Sequence, residues 1–328
     1  MNLLKDIYYQ KKYIQLYLKE DEEIFEFNYK ENAYYFYNIS IKRPIKKIGK
    51  KNILNNYYYD LETAYGYGGI ICNTSNKDFI KKAVSAYKKE CLSQNIIAEF
   101  TRVHPFNENF KTLKSYYDLF VFDRETIAIN TTLTKEQRWD SYPSKTRTIL
   151  RKCQKELTFE KSNDLNSFMD LYAKTMHKNK ADSFYYFNKD YFKNLIELNN
   201  VDLYVVKLKD TIIATSFFIL GKSLAHYHLS ANNYEYRKYN ANYYILDSIF
   251  NIAHSKQISH FHLGGGRTSQ ENDTLLKFKR KFSTITKQFY LAGMVFNKNK
   301  YEEYITTWKN QTKKEVNYFL KYRLDLHE

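Results

Sequence analysis

Three of the nine glycines in this chain stand in a row, Gly264, Gly265 and Gly266, directly behind the run Ser259-His260-Phe261-His262-Leu263. Consecutive glycines allow backbone angles and close approaches that no other residue permits. The run before them reads as a strand, and residues 273–282 behind them read as a helix. Strand, glycine loop and helix in that order belong to mixed α/β layers. Such a loop can aim backbone N–H groups at an anion or an acyl carbonyl, and its alternative use is a tight turn.

Elsewhere only three prolines and the remaining glycines break the pattern. Apolar residues at helical spacing predict helices over 77–92, 134–156, 164–178, 189–198 and 240–256, and from Lys300 onward. Thr134 with Gln137 three residues on is a capping-box signature, and Pro143 should break that helix. Strands are expected over 96–104, 116–130, 201–207, 211–220, 224–230, 258–263 and 287–296. The hinges at Lys209-Asp210 and Gly221-Lys222 predict a meander. Residues before Tyr57 read only as short charged segments.

At 328 residues the chain is comfortable for two cores, set here at 1–156 and 157–328. The 33 Tyr and 23 Phe can supply much of their buried area. Three cysteines, Cys72, Cys91 and Cys153, form no C-x-x-C pair, which speaks against a disulfide framework or a cysteine zinc site and for a reducing cytoplasm. The N-terminus lacks the pattern of a signal peptide, and the longest apolar stretch, 211–221, is too short to span a bilayer. A net charge of +16 favours anionic partners, namely nucleotides, phosphorylated glycans, RNA or an anionic membrane surface.

On a helix Leu275, Phe278, Lys279 and Phe282 share one face, while Lys277, Arg280 and Lys281 can reach solvent. An ammonium on an apolar face is costly unless it meets an anion or a carbonyl, so Lys279 is the candidate to stabilise a developing oxyanion; the plainer alternative is a snorkelling lysine. In the loop Tyr65-Gly66-Tyr67-Gly68, glycines alternate with flat rings suited to a sugar or base. Asp60 and Glu62 would share a strand face and are candidate general bases, as is His104. Arg102 points the same way as His104, and together they suit a phosphate or carboxylate. Arg147, Arg151 and Lys155 form a basic stripe. Tyr227-His228-Leu229 ends a strand, and Arg237, Asn240 and Asn242 precede or open a helix, a plausible pyrophosphate site. No zinc motif, G-x-S-x-G elbow or Walker loop is present.

The order of these pieces resembles the FemAB-like branch of the GNAT acyltransferase superfamily. Residues 60–73 look like the PYGYGG segment of members encoded with surface-polysaccharide genes, with Ala64 at the Pro place. Arg102-Val103-His104-Pro105 looks like their R-x-H-P segment, residues 147–155 like their basic helix, and Leu263-Gly264-Gly265-Gly266 and Phe278-Lys279-Arg280-Lys281-Phe282 like their LGGG and F-K-x-x-F segments. The resemblance implies an α/β (α+β) fold of two tandem GNAT-like lobes with mixed central sheets and flanking helices, the C-terminal one holding the acyl donor. It implies an acyltransferase in which Lys279 supports the reacting carbonyl. The donor would be acetyl-CoA or another acyl-CoA, with aminoacyl-tRNA as the alternative, and no metal. The acceptor would be a nucleotide-linked or lipid-linked amino sugar of a cell-surface glycan. A peptidyltransferase acting on a cell-wall precursor and a non-catalytic glycan- or RNA-binding module are the rival functions. The expected setting is cytoplasmic, as monomer or homodimer, with tRNA or an anionic membrane as further partners.

Overall fold

The computed structural model describes residues 1–54 and 57–325, so the last three positions of the expected second lobe fall outside the described residues. The chain divides into two compact units, Met1–Ile7 with Arg124–Lys287, and Tyr8–Asp123 with Gln288–Glu328. Each is a mixed sheet with flanking helices.

In the first unit, residues 126–130 of the strand Leu119–Asn130 lie beside His260–Gly265, followed by Leu224–Asn232, Thr211–Leu220, Val201–Leu208 and Thr158–Ser162. Leu224–Asn232, Thr211–Leu220 and Val201–Leu208 form the antiparallel meander the hinges predict, and Thr158–Ser162, not expected from sequence, adds an antiparallel edge. Leu224–Asn232 and His260–Gly265 run parallel. A parallel pair needs a crossover, and the helix Ala241–Ser255 supplies it, burying Ile245, Leu246, Ile249, Phe250 and Ala253 along one face. The strand Thr211–Leu220 is covered on both faces. Phe217 meets Phe168 at 4.6 Å on one side, and its neighbour Phe218 meets Phe261 at 5.9 Å on the other. Pro143 separates two helices, Lys135–Ser141 and Ser144–Glu156, and Thr134 and Gln137 form the expected capping box.

In the second unit the sheet order is Glu23–Glu31, Tyr34–Pro44, Tyr59–Glu62, Ile96–Val103, Thr286–Val295. The helix Lys77–Ser93, capped by Asn76, crosses between the parallel strands Tyr59–Glu62 and Ile96–Val103. The opening hairpin Glu23–Pro44 was not expected from sequence. Its first strand alternates Glu, Asn and Lys with aromatic residues, and this solvated edge reads as merely charged.

The compact units cut the chain differently from the boundary expected at 156/157. Leu150 and Cys153 pack in one core with Ile249, Phe250 and Phe261, which draws the helix Ser144–Glu156 to the residues after it. Residues 290–295 pair antiparallel with 98–103, and Trp308 and Tyr322 are buried with Ile97 and Phe100, which returns the C-terminal segment to the residues of the first lobe.

Candidate functional site

The parallel pairing in the first unit is short. Leu224, Ala225 and His226 pair with His260, Phe261 and His262, and no ladder pair joins residues 227–229 to 263–265. Each strand stays bound on its other side through a bulge. Leu229 faces Phe217 and Tyr227 faces Phe218, so His228 is the extra residue; His262 faces Ala128 and Gly264 faces Ile127, so Leu263 is the other. The two strands therefore part into a notch edged by Tyr227, His228, Leu229, Gly264 and Gly265. Gly264 has φ +72°, a left-handed conformation that suits glycine.

Lys279 closes one end of this notch. Its Nζ donates to the Gly265 carbonyl at 2.6 Å and lies 5.9 Å from the Tyr227 ring centroid. The side chain is 5% exposed, and burial pulls its pKa down to about 7, with Arg124 adding to the effect and Asp273 opposing it. The helix Thr274–Lys279 that carries it buries Leu276 and Lys279, and Phe282 beyond it. Leu276, rather than Leu275, thus anchors the apolar face. Arg280 and Lys281 do not simply reach solvent, since they bond Glu125 and the Tyr243 hydroxyl at 2.8 and 2.6 Å.

Asp273 organises the loop before that helix. One carboxylate oxygen accepts the N–H groups of Leu275 and Leu276, each at 2.9 Å. The other accepts those of Arg267 and Thr268, each at 3.1 Å. A Cβ on Gly266 would stand 2.5 Å from Asp273 Oδ1, and one on Gly265 would stand 2.8 Å from Arg124 Cδ. Both positions are therefore held to glycine by close approach. Arg124 donates to the Gly266 carbonyl at 3.1 Å. Arg124 and Asp273 were not singled out from sequence. An Asp just before a helical run is an N-cap signal that would have found Asp273, whereas nothing local marks Arg124. The buried pair Asp6 Oδ2···His226 Nε2, 2.8 Å apart, is likewise visible only in three dimensions.

Tyr191 OH and His228 Nε2 are 3.1 Å apart, and burial, aided by His226, pushes the His228 pKa down to about 3, so its ring is neutral. At the start of the helix Ala241–Ser255, Asn240 takes φ +55°. This left-handed backbone suits glycine, and Asn is among the few other residues that tolerate it. The Asn240 side chain makes no cap bond to the helix, so the N–H groups ahead of Tyr243, whose own N–H donates to the Asn240 carbonyl at 2.9 Å, keep their attraction for an anion. Asn242 lies in that first turn. Arg237 is exposed, with its guanidinium 4.5 Å from the Tyr234 ring centroid. Arg147 donates to the carbonyls of Trp139 and Tyr142 at 3.3 and 2.6 Å, tying off the preceding helix, and Arg151 stands over the Trp139 ring at 5.9 Å. The stripe read from sequence is thus half committed to structure.

The remaining expected residues lie in the second unit. Asp60 is fully buried and accepts Arg43 Nε at 3.0 Å, Arg323 Nε at 2.6 Å and Tyr322 OH at 2.9 Å. Glu62 pairs with Arg43 and, at 2.7 Å, with Arg102. Burial opposes ionisation of both carboxyls, but the guanidinium groups outweigh it and hold both pKa values below the usual range. Neither is poised to take a proton, and the sequence expectation of a general base at Asp60 or Glu62 gives way to an ion-pair network. Gly68 N–H donates to Arg102 O at 2.8 Å and His104 N–H to Gly68 O at 3.0 Å, so the two motifs meet. Tyr65 accepts the Tyr13 hydroxyl through its carbonyl at 2.9 Å. A Cβ on Gly66, φ +99°, would run into the Tyr8 ring at 2.2 Å. Tyr67 packs edge-on against Phe289 and His104 at 5.2 and 5.7 Å. His104 is buried and accepts the Phe106 N–H through Nδ1 at 3.1 Å.

Residues 144–280, which span the notch, the helix start at Asn240 and Lys279, match the acetyltransferase (GNAT) domain family. FemX is similar in structure, with a TM-score of 0.69 at 13% identity over 92% of this chain and 94% of that one. The C-terminal domain (DUF2156) of a protein assigned as a lysylphosphatidylglycerol synthetase from Agrobacterium fabrum gives 0.53 at 14% identity, over 89% and 88%. L-PGS from Bacillus licheniformis gives 0.52 at 13% identity, over 88% and 89%. No curated protein sequence matches the chain. The chain therefore has a FemX-like fold, and its residues 144–280 are similar to the acetyltransferase (GNAT) domain family.

Proposed function

We propose that this protein transfers an acyl group from acyl-CoA, acetyl-CoA first among them, to the amine of an amino sugar or related precursor of a cell-surface glycan. The observation that carries the reading is Lys279, a buried ammonium with a lowered pKa at the closed end of an open backbone notch inside the matched domain. An extended pantetheine arm can pair with strand edges that do not pair with each other. The uncapped start of the helix Ala241–Ser255, with Arg237 nearby in sequence, suits the donor's pyrophosphate.

In this reading the amine nitrogen attacks the thioester carbon and its proton leaves to water. A C–N bond forms, the C–S bond breaks, and the CoA thiolate departs. The negative charge that develops on the carbonyl oxygen meets Lys279 Nζ, whose ammonium form favours it. Gly264, Gly265 and Gly266 let the backbone come close to the reacting carbonyl. Tyr65, Gly66, Tyr67, Gly68 and Arg102 are the proposed acceptor residues, by the ring and guanidinium chemistry argued from sequence.

A second reading is aminoacyl transfer from aminoacyl-tRNA, which the likeness to FemX and to the lysylphosphatidylglycerol synthetase domain favours. Calorimetry at physiological salt separates the two. Micromolar binding of acetyl-CoA supports the first. No acyl-CoA binding, together with tighter binding of charged than of uncharged tRNA, replaces it with the second.

A further inference from the structure

Four of the exposed large apolar side chains lie in the first unit: Phe184, Tyr185, Tyr186 and Tyr234, between 38% and 54% exposed. The first three follow one another in the segment between the helices Leu165–Lys178 and Lys189–Ile196. Three consecutive exposed aromatic rings are costly in water and mark a contact surface. The segment is tied down rather than loose. Tyr172 OH donates to the Tyr185 carbonyl at 2.9 Å, and Phe187 stacks on Tyr191 with centroids 4.1 Å apart. Tyr234 meets the end of the helix Leu165–Lys178 that leads into this segment, with Lys178 Nζ 3.0 Å and the Arg237 guanidinium 4.5 Å from its centroid.

The charge around these rings is of one dominant sign. Lys178, Lys180, Lys189 and Lys193 are exposed along the segment and its flanking helices against Asp182 and Asp190, and Arg237 and Lys238 are exposed beside Tyr234 against Glu235. Exposed Phe and Tyr ringed by lysine fit the boundary of an anionic bilayer. There the rings enter the interfacial layer and the ammonium groups meet lipid phosphates. Single-stranded RNA also combines rings with positive charge, but it needs ring faces that successive bases can stack on. Here the rings are splayed. Phe184 stands at 82° to Tyr185 and at 66° to Phe187. A bilayer interface makes no demand on their mutual angle.

We propose that this segment, led by Phe184, Tyr185 and Tyr186, docks the protein on an anionic membrane surface. The segment continues through Phe187 and Tyr191 to His228 on the edge of the notch, so docking presents the notch to the bilayer. The acceptor then belongs to the lipid-linked class; that corollary rests on the acyl-transfer reading above, while docking itself does not.

The test is vesicle cosedimentation of the full chain at physiological salt. Vesicles of neutral phosphatidylcholine are compared with vesicles containing about a third phosphatidylglycerol. Binding to the anionic vesicles at least about tenfold tighter than to neutral ones is expected, with about a tenfold loss in the triple variant Phe184→Ala/Tyr185→Ala/Tyr186→Ala and in Lys180→Glu/Lys189→Glu. Acetyl-CoA affinity and melting temperature, measured on the same variants, should stay unchanged, which separates this failure from failure of the acyl-transfer reading. Equal partition into both vesicle types, or triple-variant binding equal to wild type, overturns the proposal. Loss of single-stranded RNA binding in the triple variant with vesicle binding intact overturns it in favour of a nucleic acid.

Discussion

Each unit buries a charge, and the two treat it in opposite ways. Asp60 is buried among two guanidinium groups and a tyrosine hydroxyl, which hold its pKa down. Lys279 is buried with a carbonyl as hydrogen-bond acceptor and with the Asp273 carboxylate occupied by four backbone N–H groups. Its pKa moves toward neutrality. A buried charge with full partners is architecture, since removing one partner strands the others. A buried charge with incomplete partners stores interaction capacity that a ligand can complete. The contrast ties Asp60 to the stability of its unit and supports the chemical role proposed for Lys279.

The largest effect that would break this contrast belongs to Asp60. Asp60→Asn should lower stability by about 3–5 kcal/mol in chemical denaturation, because it removes the counter-charge of Arg323 and one of the two of Arg43, which keeps Glu62. The depressed pKa makes this contribution present above the unfolded value near 3.8 and lost as pH falls through the lower folded value. Acid titration should therefore converge wild type and variant. A loss well under 1 kcal/mol at pH 7 would make Asp60 a free carboxylate after all.

Next comes Lys279→Met, which should lower turnover by about a hundredfold, equivalent to about 2.7 kcal/mol in barrier height, with donor affinity little changed. Unchanged turnover removes Lys279 from the mechanism. The same substitution sharpens the contrast in stability. With a folded pKa near 7 and an unfolded value near 10.5, the unfolded chain binds more protons between those limits. Wild-type stability from this group therefore rises with pH across that window, by at most about 1.4 kcal/mol per pH unit. Lys279→Met should flatten that slope, and denaturation at pH 7 and pH 9 measures it. The smallest effect belongs to Asn240→Gly. Its left-handed backbone admits glycine without strain, so stability should move by no more than about 1 kcal/mol and donor binding should persist.

Much of the first unit was legible because its signals are local. The capping box at Thr134, the break at Pro143, the meander hinges and the strand–glycine–helix sequence each follow from neighbours within a few residues. The burial of Lys279 was legible because a lysine at apolar helical positions contradicts its own polarity. What stayed hidden depends on residues distant in sequence. The hairpin Glu23–Pro44 presents a charged edge. Arg43 and Arg323 reach Asp60 from 17 and 263 residues away, so a carboxylate that looks like a base from its strand spacing is a paired one. Arg124 meets the glycine loop across 142 residues. The boundary expected at 156/157 missed that the last strand returns to pair with Ile96–Val103.

The most direct measurement is a titration of isotopically labelled protein with acetyl-CoA, followed by backbone amide resonances. The account predicts saturable shifts at Tyr227, His228, Leu229, Gly264, Gly265 and Gly266 and at the first turn of the helix Ala241–Ser255. Saturable binding whose shifts leave those residues untouched would contradict the placement of the acyl donor in the notch.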